Sequence, residues 1–406
     1  MAEPDLRVLS DGGVTAPRGF LAGAVYSGLQ LPAPDQRDLG ALLSDRPCAA
    51  AARFTRNLVV AAPVVLSRER IARGTPLRGA VFNAGNANAC TGPEGLRAAE
   101  EMLELAACRL GVAPDDLVVA STGVIGVPLD MAKVRAGLER LELTPDGGAA
   151  VARAIMTTDL KPKQAAVELE LAGRPVRVGG MAKGSGMIHP DLATMLAFLT
   201  TDAPLTRAQA DALLGPAVDR SFNMVTVDGD TSTNDMVLLL ANGAADVPAP
   251  LDAADVSRLG AALEGVCVQL ARAIAADGEG ATRLIEVRVE GARNDAEARW
   301  AARTVAGSSL VKAAVYGGDP NWGRIVAALG RAGVDLDPGA IDVDVGPVAV
   351  MRAGRPLGFD AAAASAALQP PEVRLRTDLH RGPGAATAWG CDLTEQYVAI
   401  NSEYTT

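Results

Sequence analysis

The sequence predicts an α/β or α+β fold, in which layered sheets are flanked by helices. Signals typical of strands and of helices alternate along the whole chain, without the strict β–α–β order of a fully parallel sheet. The chain has 406 residues, enough for two or three domains or for one large α/β unit. Apolar residues make up 49% of it but aromatic residues only 3%, so we expect a core of Ala, Val and Leu.

Two strands and the helix between them can be placed in the first half of the chain. Residues 78–92, "RGAVFNAGNANACTG", predict a short apolar strand that runs into a Gly/Asn loop. Residues 93–111 have apolar side chains at helical spacing, with Pro93 in the first turn and Gly111 as the stop signal. Residues 115–126, "DDLVVASTGVIG", predict a buried strand that ends in a second glycine-containing loop.

The second half offers one long helix and further strands. Residues 281–292 and 340–351 alternate between apolar and polar positions, as half-exposed strands do. Residues 143–150 and 246–255 are rich in Pro, Gly and Asp, and we expect turns or subdomain joints there. Residues 256–280 predict a helix, and its apolar face carries Leu259, Leu263, Val266, Leu270 and Ile274.

The charge and the absence of leader-like or membrane-like segments exclude several classes of function. The formal net charge is −10, which argues against nucleic acid or an anionic membrane as a partner. The first 20 residues do not have the basic start and apolar run of a secretory signal. No stretch of about 18 uninterrupted apolar residues occurs. We therefore expect a cytoplasmic protein.

The metal-binding and redox residues are few. The histidines are His189 and His380, so a His-rich metal site is not expected. The cysteines are odd in number, widely spaced and without a CxxC pair, which predicts reduced thiols that mostly pack in the interior. They are Cys48, Cys90, Cys108, Cys267 and Cys391.

Lysine is rare in this chain. Only five of the 38 basic residues are lysines, so a lysine can mark a place where a compact ammonium is needed. Lys161, Lys163 and Lys183 lie close together in the sequence, although the first two are equally explained as solvated surface residues. The other two are Lys133 and Lys312.

Residues 181–203, "MAKGSGMIHPDLATMLAFLTTDA", contain a small residue followed by a hydroxyl, Ala193-Thr194. A threonine hydroxyl is a good nucleophile when the α-amine of the same residue takes its proton, which requires Thr at the start of a chain. An internal threonine reaches that state if it attacks the preceding carbonyl and the resulting ester is hydrolysed. Spacing alone favours a plainer interpretation, in which Thr194 begins a strand that buries Met195, Ala197 and Leu199 on one face.

Two sequence neighbours of Thr194 could form a catalytic triad with it, but the interpretation is weak. His189 and Asp191 are close to it in sequence, yet triad residues are rarely sequence neighbours, and His189-Pro190 predicts a turn.

Several Gly-rich loops could serve the chemistry of acyl transfer. In "STGVIG", Thr122 and Gly123 place a hydroxyl and a backbone N–H side by side, as an oxyanion hole requires. The loop "VDGDTSTND" resembles a cation site that would use Asp228, Asp230, Asn234 and Asp235. It lacks the spacing and the terminal Glu of an EF-hand, so a turn is favoured. No Walker A or GxGxxG pattern supports nucleotide binding.

Nine sequence blocks occur in order from the first 20 residues to the last few. They are "GGVTAPRGF" (12–20), "NAGNANACTG" (83–92), "STGVIG" (121–126), "IMTTD" (155–159), "KGSGMIHPDLATML" (183–196), "SFNMVTVDGDTSTND" (221–235), "DGEGATRLIEV" (277–287), "YGGDPNWGRI" (316–325) and "AINSEYTT" (399–406). Taken together, these blocks resemble the glutamate N-acetyltransferase family of arginine biosynthesis, also called ornithine acetyltransferases.

The resemblance implies a fold and a processing step. Members have the layered ornithine acetyltransferase/DmpA-like fold and cleave themselves before the threonine of the "ATML" block. Here the cut falls between Ala193 and Thr194, giving an alpha chain of residues 1–193 and a beta chain of residues 194–406, commonly in an α2β2 heterotetramer. The family wording is nearer "HPNMATML", so Asp191-Leu192 departs from it and leaves Ala-Thr intact.

The resemblance also implies residue roles. Thr194 becomes the acetyl-accepting nucleophile, and Thr122 with Gly123 stabilises the oxyanion. Thr157 is one substrate contact, with Thr158 adjoining as the alternative. The full set of implied substrate-binding residues is Thr157, Lys183, Thr194, Glu279, Asn401 and Thr406.

The implied reaction moves the acetyl group from N2-acetyl-L-ornithine to L-glutamate by a ping-pong cycle, without metal or tightly bound cofactor. Lys183 suits a substrate carboxylate, and Glu279 or the terminal carboxylate of Thr406 suits the ornithine ammonium. The sequence leaves open whether acetyl-CoA is also a donor. It also leaves open an N-terminal-nucleophile amidase or aminopeptidase, a secondary-metabolism acyltransferase, and a non-catalytic binding protein on the same scaffold.

Overall fold

The computed structural model describes residues 6–189 and 195–403, and within these ranges the chain forms sixteen strands and eleven α-helices. The strands are β1 (Arg7–Val8), β2 (Phe20–Val25), β3 (Leu39–Phe54), β4 (Leu77–Asn86), β5 (Leu117–Val124), β6 (Lys163–Leu171), β7 (Arg174–Lys183), β8 (Leu196–Thr201), β9 (Val225–Thr226), β10 (Met236–Ala241), β11 (Leu284–Ala292), β12 (Asp342–Val345), β13 (Val348–Arg352), β14 (Arg355–Pro356), β15 (Glu372–Asp378) and β16 (Gly384–Cys391). The helices are α1 (Ala62–Arg73), α2 (Gly92–Leu110), α3 (Met131–Glu139), α4 (Gly148–Ala154), α5 (Arg207–Asp219), α6 (Ala253–Ala276), α7 (Asp295–Ala306), α8 (Ser309–Gly317), α9 (Trp322–Gly330), α10 (Ala361–Ala366) and α11 (Glu395–Glu403).

The larger sheet has the strand order β1-β6-β7-β8-β10-β3-β4-β5, with β2 also paired to β3. The long strand β3 joins its two parts, because residues 39–43 pair with β4 whereas residues 49–54 pair with β10. The rings of Phe82 in β4 and Phe198 in β8 lie 5.0 Å apart between centroids. Both rings lie in one buried cluster with side chains of β2, β3, β7 and β10, so these strands of the larger sheet enclose a shared core.

The smaller sheet has the order β14-β13-β12-β15-β11-β16-β9. Helix α6 packs against β6 and β7 of the larger sheet and against β11 and β16 of the smaller one, so it lies between the sheets. Among the described residues, α6 is the one helix long and apolar enough to cross a membrane by length and composition, and half of its apolar stretch is buried inside the fold. Its position between the sheets explains that apolar composition.

The predicted fold class of layered α/β sheets is confirmed, and so are the elements that carried it. Helix α2 has Pro93 in its first turn and ends at Gly111, which adopts the left-handed conformation with φ 68°. All five predicted core residues of α6 are buried. Residues 340–351 form two strands, β12 and β13, because the chain reverses at Gly346 with φ 55°.

The cysteines are free thiols, as predicted, and three of them pack in the interior. Cys48, Cys267 and Cys391 are buried, whereas Cys90 and Cys108 are exposed.

Strand β8 positions the segment of interest. It is antiparallel to β7 and parallel to β10, so Leu196 lies opposite Lys183 on one side and Met236 on the other. The backbone N–H of Met236 also donates to the carbonyl of Met195 at 3.2 Å. Met195, Ala197 and Leu199 share one buried cluster, as the strand interpretation predicts. Strands from both sides of residues 190–194 thus belong to one sheet.

Candidate active site

The structure brings six of the predicted site residues to one open cleft, where they come from five separate segments of the chain. These six are Thr122, Gly123, Thr157, Lys183, Glu279 and Asn401. Thr158, the alternative to Thr157, also lines the cleft. Ala193, Thr194 and Thr406 lie outside the described residues. The remaining lining residues are Ala87, Ile125, Gly186, Met187, Ser232, Thr233 and Asn234.

Lys183 provides a buried cation at the end of β7. Its Nζ donates to Thr157 Oγ1 at 3.2 Å, and the residue is only 2% exposed. An ammonium has three N–H donors, so within the described part of the chain two of them remain for a ligand. Burying a charged ammonium is costly unless it is paired with an anion, and a bound carboxylate would provide such a partner.

The surroundings of Lys183 set its proton affinity. Burial lowers the pKa of Lys183 below its ordinary value, and the positive charge of Lys163 lowers it further. The negative charges of Asp159, Asp235 and Glu279 act in the opposite direction. The three carboxylates thus offset part of the effect of burial on the pKa of Lys183.

Thr122 and Gly123 lie near the end of β5, where this strand meets β4. Gly123 has φ 130°, and a Cβ there would lie 2.3 Å from the carbonyl carbon of Gly85, so only glycine permits this close approach. The Asn234 side chain ties the end of β5 to the loop before β10, since its amide donates to the carbonyls of Ala87 at 2.6 Å and Ser121 at 2.9 Å. Sequence analysis did not find this bridge.

Glu279 provides an anion in the same cleft. Asn401 in α11 donates to Glu279 Oε2 at 2.8 Å, and the backbone N–H of Glu279 donates to the Ser185 carbonyl at 3.0 Å. A Cβ on Gly186 would lie 2.4 Å from the carboxyl carbon of Glu279, so glycine leaves the space that this carboxylate occupies. A cation and an anion in one cleft suit an amino acid that carries both charges.

The loop between β9 and β10 anchors the chain on both sides of residues 190–194. Asp228 accepts the backbone N–H groups of Met187 at 2.6 Å and Ile188 at 2.8 Å. Asp235 accepts the N–H of Met195 at 3.0 Å. Burial raises the pKa of Asp228 to about 6 and raises that of Asp235 as well.

The carboxylates of Asp228 and Asp235, in the loop that resembles a cation site, bind backbone N–H groups of a neighbouring segment. Among residues 6–189 and 195–403, no group of three or more His, Cys, Asp or Glu side chains is placed to hold a metal. The role of Asp228 and Asp235 as anchors was missed. The available signal was a pair of acids at the two ends of one short loop.

The side chain of His189 contacts strand β9. Its Nδ1 lies 3.1 Å from Thr226 Oγ1. Asp191, the other residue considered for a triad, lies outside the described residues.

One protein family matches nearly the whole chain. The ArgJ family model matches residues 21–406. The chain belongs to the ArgJ family. The resemblance predicted from the nine blocks is thereby confirmed.

Close relatives of this ArgJ-family chain match it over nearly their whole length. The arginine biosynthesis bifunctional protein ArgJ of Symbiobacterium thermophilum is 56% identical, over 97% of this chain and 99% of the relative. The protein of the same name from Parasynechococcus marenigrum is 51% identical, over 98% and 96%.

Two solved structures of similar proteins each match about half of the chain. The arginine biosynthesis bifunctional protein ArgJ of Bacillus halodurans is 44% identical, with a TM-score of 0.49, over 51% of this chain and 98% of that one. An ornithine acetyltransferase complexed with ornithine, from Mycobacterium tuberculosis, is 39% identical, with a TM-score of 0.41, over 46% and 98%.

The raised pKa of Asp228 predicts a stability effect. Between its ordinary value of 3.8 and about 6, the folded protein binds more protons at Asp228 than the unfolded chain does. The free energy of unfolding therefore decreases as the pH rises through this window, by up to about 3 kcal/mol. We expect the stability of wild type minus that of Asp228→Asn, measured by urea unfolding, to fall between about pH 4 and about pH 7 and to level off above. A difference that is flat, or that rises with pH, would contradict this.

Proposed function

We propose that this chain is an acetyltransferase that moves the acetyl group of N2-acetyl-L-ornithine to L-glutamate through an acetyl-Thr194 intermediate. The observation that carries the proposal is the cleft that Lys183 shares with the Glu279 carboxylate, where two donors of Lys183 have no partner among the described residues. Family membership supports it, as do relatives named for arginine biosynthesis and a similar chain described as an ornithine acetyltransferase complexed with ornithine.

Substrate binding follows from the two charges. Lys183 binds the α-carboxylate of acetylornithine, and Glu279 with Asn401 binds the side-chain ammonium. The glutamate acceptor has a carboxylate in place of that ammonium. The same end of the cleft must therefore change its water or proton content between the two half-reactions.

The chemistry proceeds in two acyl transfers. The α-amine of Thr194 takes the proton of its own hydroxyl, and the oxygen attacks the acetyl carbonyl of the substrate. The Thr122 hydroxyl and the Gly123 N–H stabilise the negative charge on the carbonyl oxygen. The carbon–nitrogen bond breaks, ornithine takes the proton and leaves, and the amine of glutamate then attacks the acetyl ester. No metal or bound cofactor takes part, and acetyl-CoA is a further candidate donor.

The required α-amine arises by self-cleavage between Ala193 and Thr194. The products, residues 1–193 and 194–406, stay associated because β8 of the second pairs with β7 of the first, and β10 pairs with β3. We assign the processed protein to the cytoplasm as an α2β2 heterotetramer.

The transfer assay tests the function, with variants of Thr194 as the probe. Wild type should run as two fragments and convert acetylornithine and glutamate to ornithine and acetylglutamate in equal amounts. Thr194→Ala should remain one folded chain without transfer, because both steps need the hydroxyl. Thr194→Ser keeps a hydroxyl and should cleave and retain partial activity.

The outcomes separate the rival functions. Release of acetate without acetylglutamate would indicate an amidase in which water is the acceptor. A cleaved, active Thr194→Ala protein would refute the nucleophile. Replacing acetylornithine with acetyl-CoA in the same assay shows whether the thioester is a second donor.

Thr122 gives a separate test of the oxyanion site. Thr122→Ala should lower kcat on the order of 10²-fold with little change in KM, because the lost hydroxyl acts only on the charge of the transition state. Steady-state kinetics with acetylornithine measures this. An unchanged kcat in a cleaved Thr122→Ala protein would place the oxyanion donors elsewhere.

A further inference from the structure

A buried ion cluster lies beside the cleft, formed by one lysine between two aspartates. Lys163 Nζ donates to Asp159 Oδ1 and to Asp277 Oδ2, both at 2.6 Å, and to the Lys161 carbonyl at 3.3 Å. The side chains of Lys163, Asp159 and Asp277 are 2%, 0% and 8% exposed. All three donors of this ammonium are used, so Lys163 itself has none left for a substrate. The sequence-based alternative that Lys163 is a solvated surface residue is wrong.

Asp159 connects the cluster to two substrate-binding segments. Its Oδ2 accepts the backbone N–H of Thr157 at 3.1 Å. Its Oδ1 accepts the N–H of Gly184, the residue after Lys183, at 2.7 Å. One carboxylate therefore fixes the backbone next to both partners of the Lys183–Thr157 hydrogen bond.

Asp277 connects the cluster to the segment that carries Glu279. Its backbone carbonyl accepts the Ser185 hydroxyl at 2.7 Å, and the Ser185 carbonyl accepts the N–H of Glu279 at 3.0 Å. Its Oδ2 also accepts the N–H of Leu160 at 3.0 Å. The cluster thus reaches both the cationic and the anionic side of the cleft.

The charge of Lys163 also affects Lys183, because both lysines lie near Asp159. Burial alone would raise the pKa of Asp159, but the positive charges of Lys163 and Lys183 outweigh it and hold the pKa below its ordinary value. Two lysines therefore compete for one carboxylate. As long as Lys163 neutralises Asp159, the ammonium of Lys183 stays available to a ligand.

We propose that Lys163 is a positioning residue, which neutralises Asp159 and Asp277 and so keeps the Lys183 ammonium aimed at the substrate carboxylate. This rests on the proposed function in so far as Lys183 binds that carboxylate. Without Lys163, Asp159 takes Lys183 as its counter-ion, and substrate binding weakens while the acyl-transfer residues stay in place.

The test uses a charge-balanced variant, because Lys163→Met alone would leave two buried carboxylates facing each other. The double variant Lys163→Met/Asp277→Asn removes one positive and one negative charge. We expect the KM for acetylornithine to rise about tenfold or more, with kcat within about twofold, since a charge-assisted contact to the substrate is weakened. Lys312→Met is the matched control, since Lys312 is also buried and donates to the Cys391 carbonyl at 2.6 Å. It should leave KM unchanged.

The pH dependence of kcat/KM distinguishes an electrostatic role of Lys163 from a purely structural one, because a structural role would not shift the profile. The charged groups acting on Lys183 are Asp159, Lys163, Asp235 and Glu279. Removing the positive charge of Lys163 raises the pKa of Lys183, so the alkaline limb of kcat/KM should move to higher pH in the double variant and stay in place in the control.

Binding of ornithine, measured by calorimetry, separates failure of this proposal from failure of the proposed function. If wild type transfers acetyl and the double variant has unchanged KM, Kd and alkaline limb, the positioning role of Lys163 is refuted while the proposed function stands. Wild type that binds ornithine without transferring acetyl overturns the proposed function, and a Kd raised tenfold in the double variant then still supports the positioning role. Wild type that neither binds nor transfers overturns both.

Discussion

The pairing of β8 between β7 and β10 is the constraint on which the site depends. It places Leu196 opposite Lys183 on one side and Met236 on the other, so the start of β8 lies beside the end of β7 and the start of β10. Both faces of β8 are buried, with Ala197 and Leu199 in one apolar cluster and Leu196 and Phe198 in another. A shift of register by one residue would exchange the two faces and place each side chain in the wrong cluster, so the register is strongly fixed.

Charge is concentrated where this constraint brings strand ends together. The core is built largely of small aliphatic side chains, yet Lys163, Lys183, Asp159 and Asp235 are almost completely buried beside the cleft. Buried charges usually cost stability unless they are paired and hydrogen-bonded. Here the pairing is complete around Lys163 but incomplete at Lys183 among the described residues. The incomplete partner set is the feature that a bound carboxylate would satisfy.

Local patterns in the sequence were sufficient for much of the fold. The apolar spacing of α6, the Pro and Gly signals at the ends of α2 and the alternation in β11 act over a few residues, and the structure confirms them. The family blocks also indicated which side chains meet, since six of the predicted residues line one cleft. Without the family blocks, the spacing of these six residues in the sequence would not have indicated that they meet.

Long-range pairing explains what the sequence could not predict. Lys163 looks like a surface residue until Asp277, 114 positions away, is brought to 2.6 Å from it. The same holds for Asp228 and Asp235, whose carboxylates bind backbone N–H groups about 40 residues earlier. The contact between Phe82 of β4 and Phe198 of β8 likewise joins residues far apart in the sequence, which no local pattern encodes.

The most direct test of the account is the location of the acetyl group in the absence of an acceptor. Wild-type protein would be incubated with acetylornithine alone, and the intact fragments and their peptides would be analysed by mass spectrometry. The account predicts one added acetyl group on the fragment that begins at Thr194, located on that residue and lost when glutamate is added. An acetyl group found only on the other fragment, or transfer to glutamate without any acetylated protein, would contradict it.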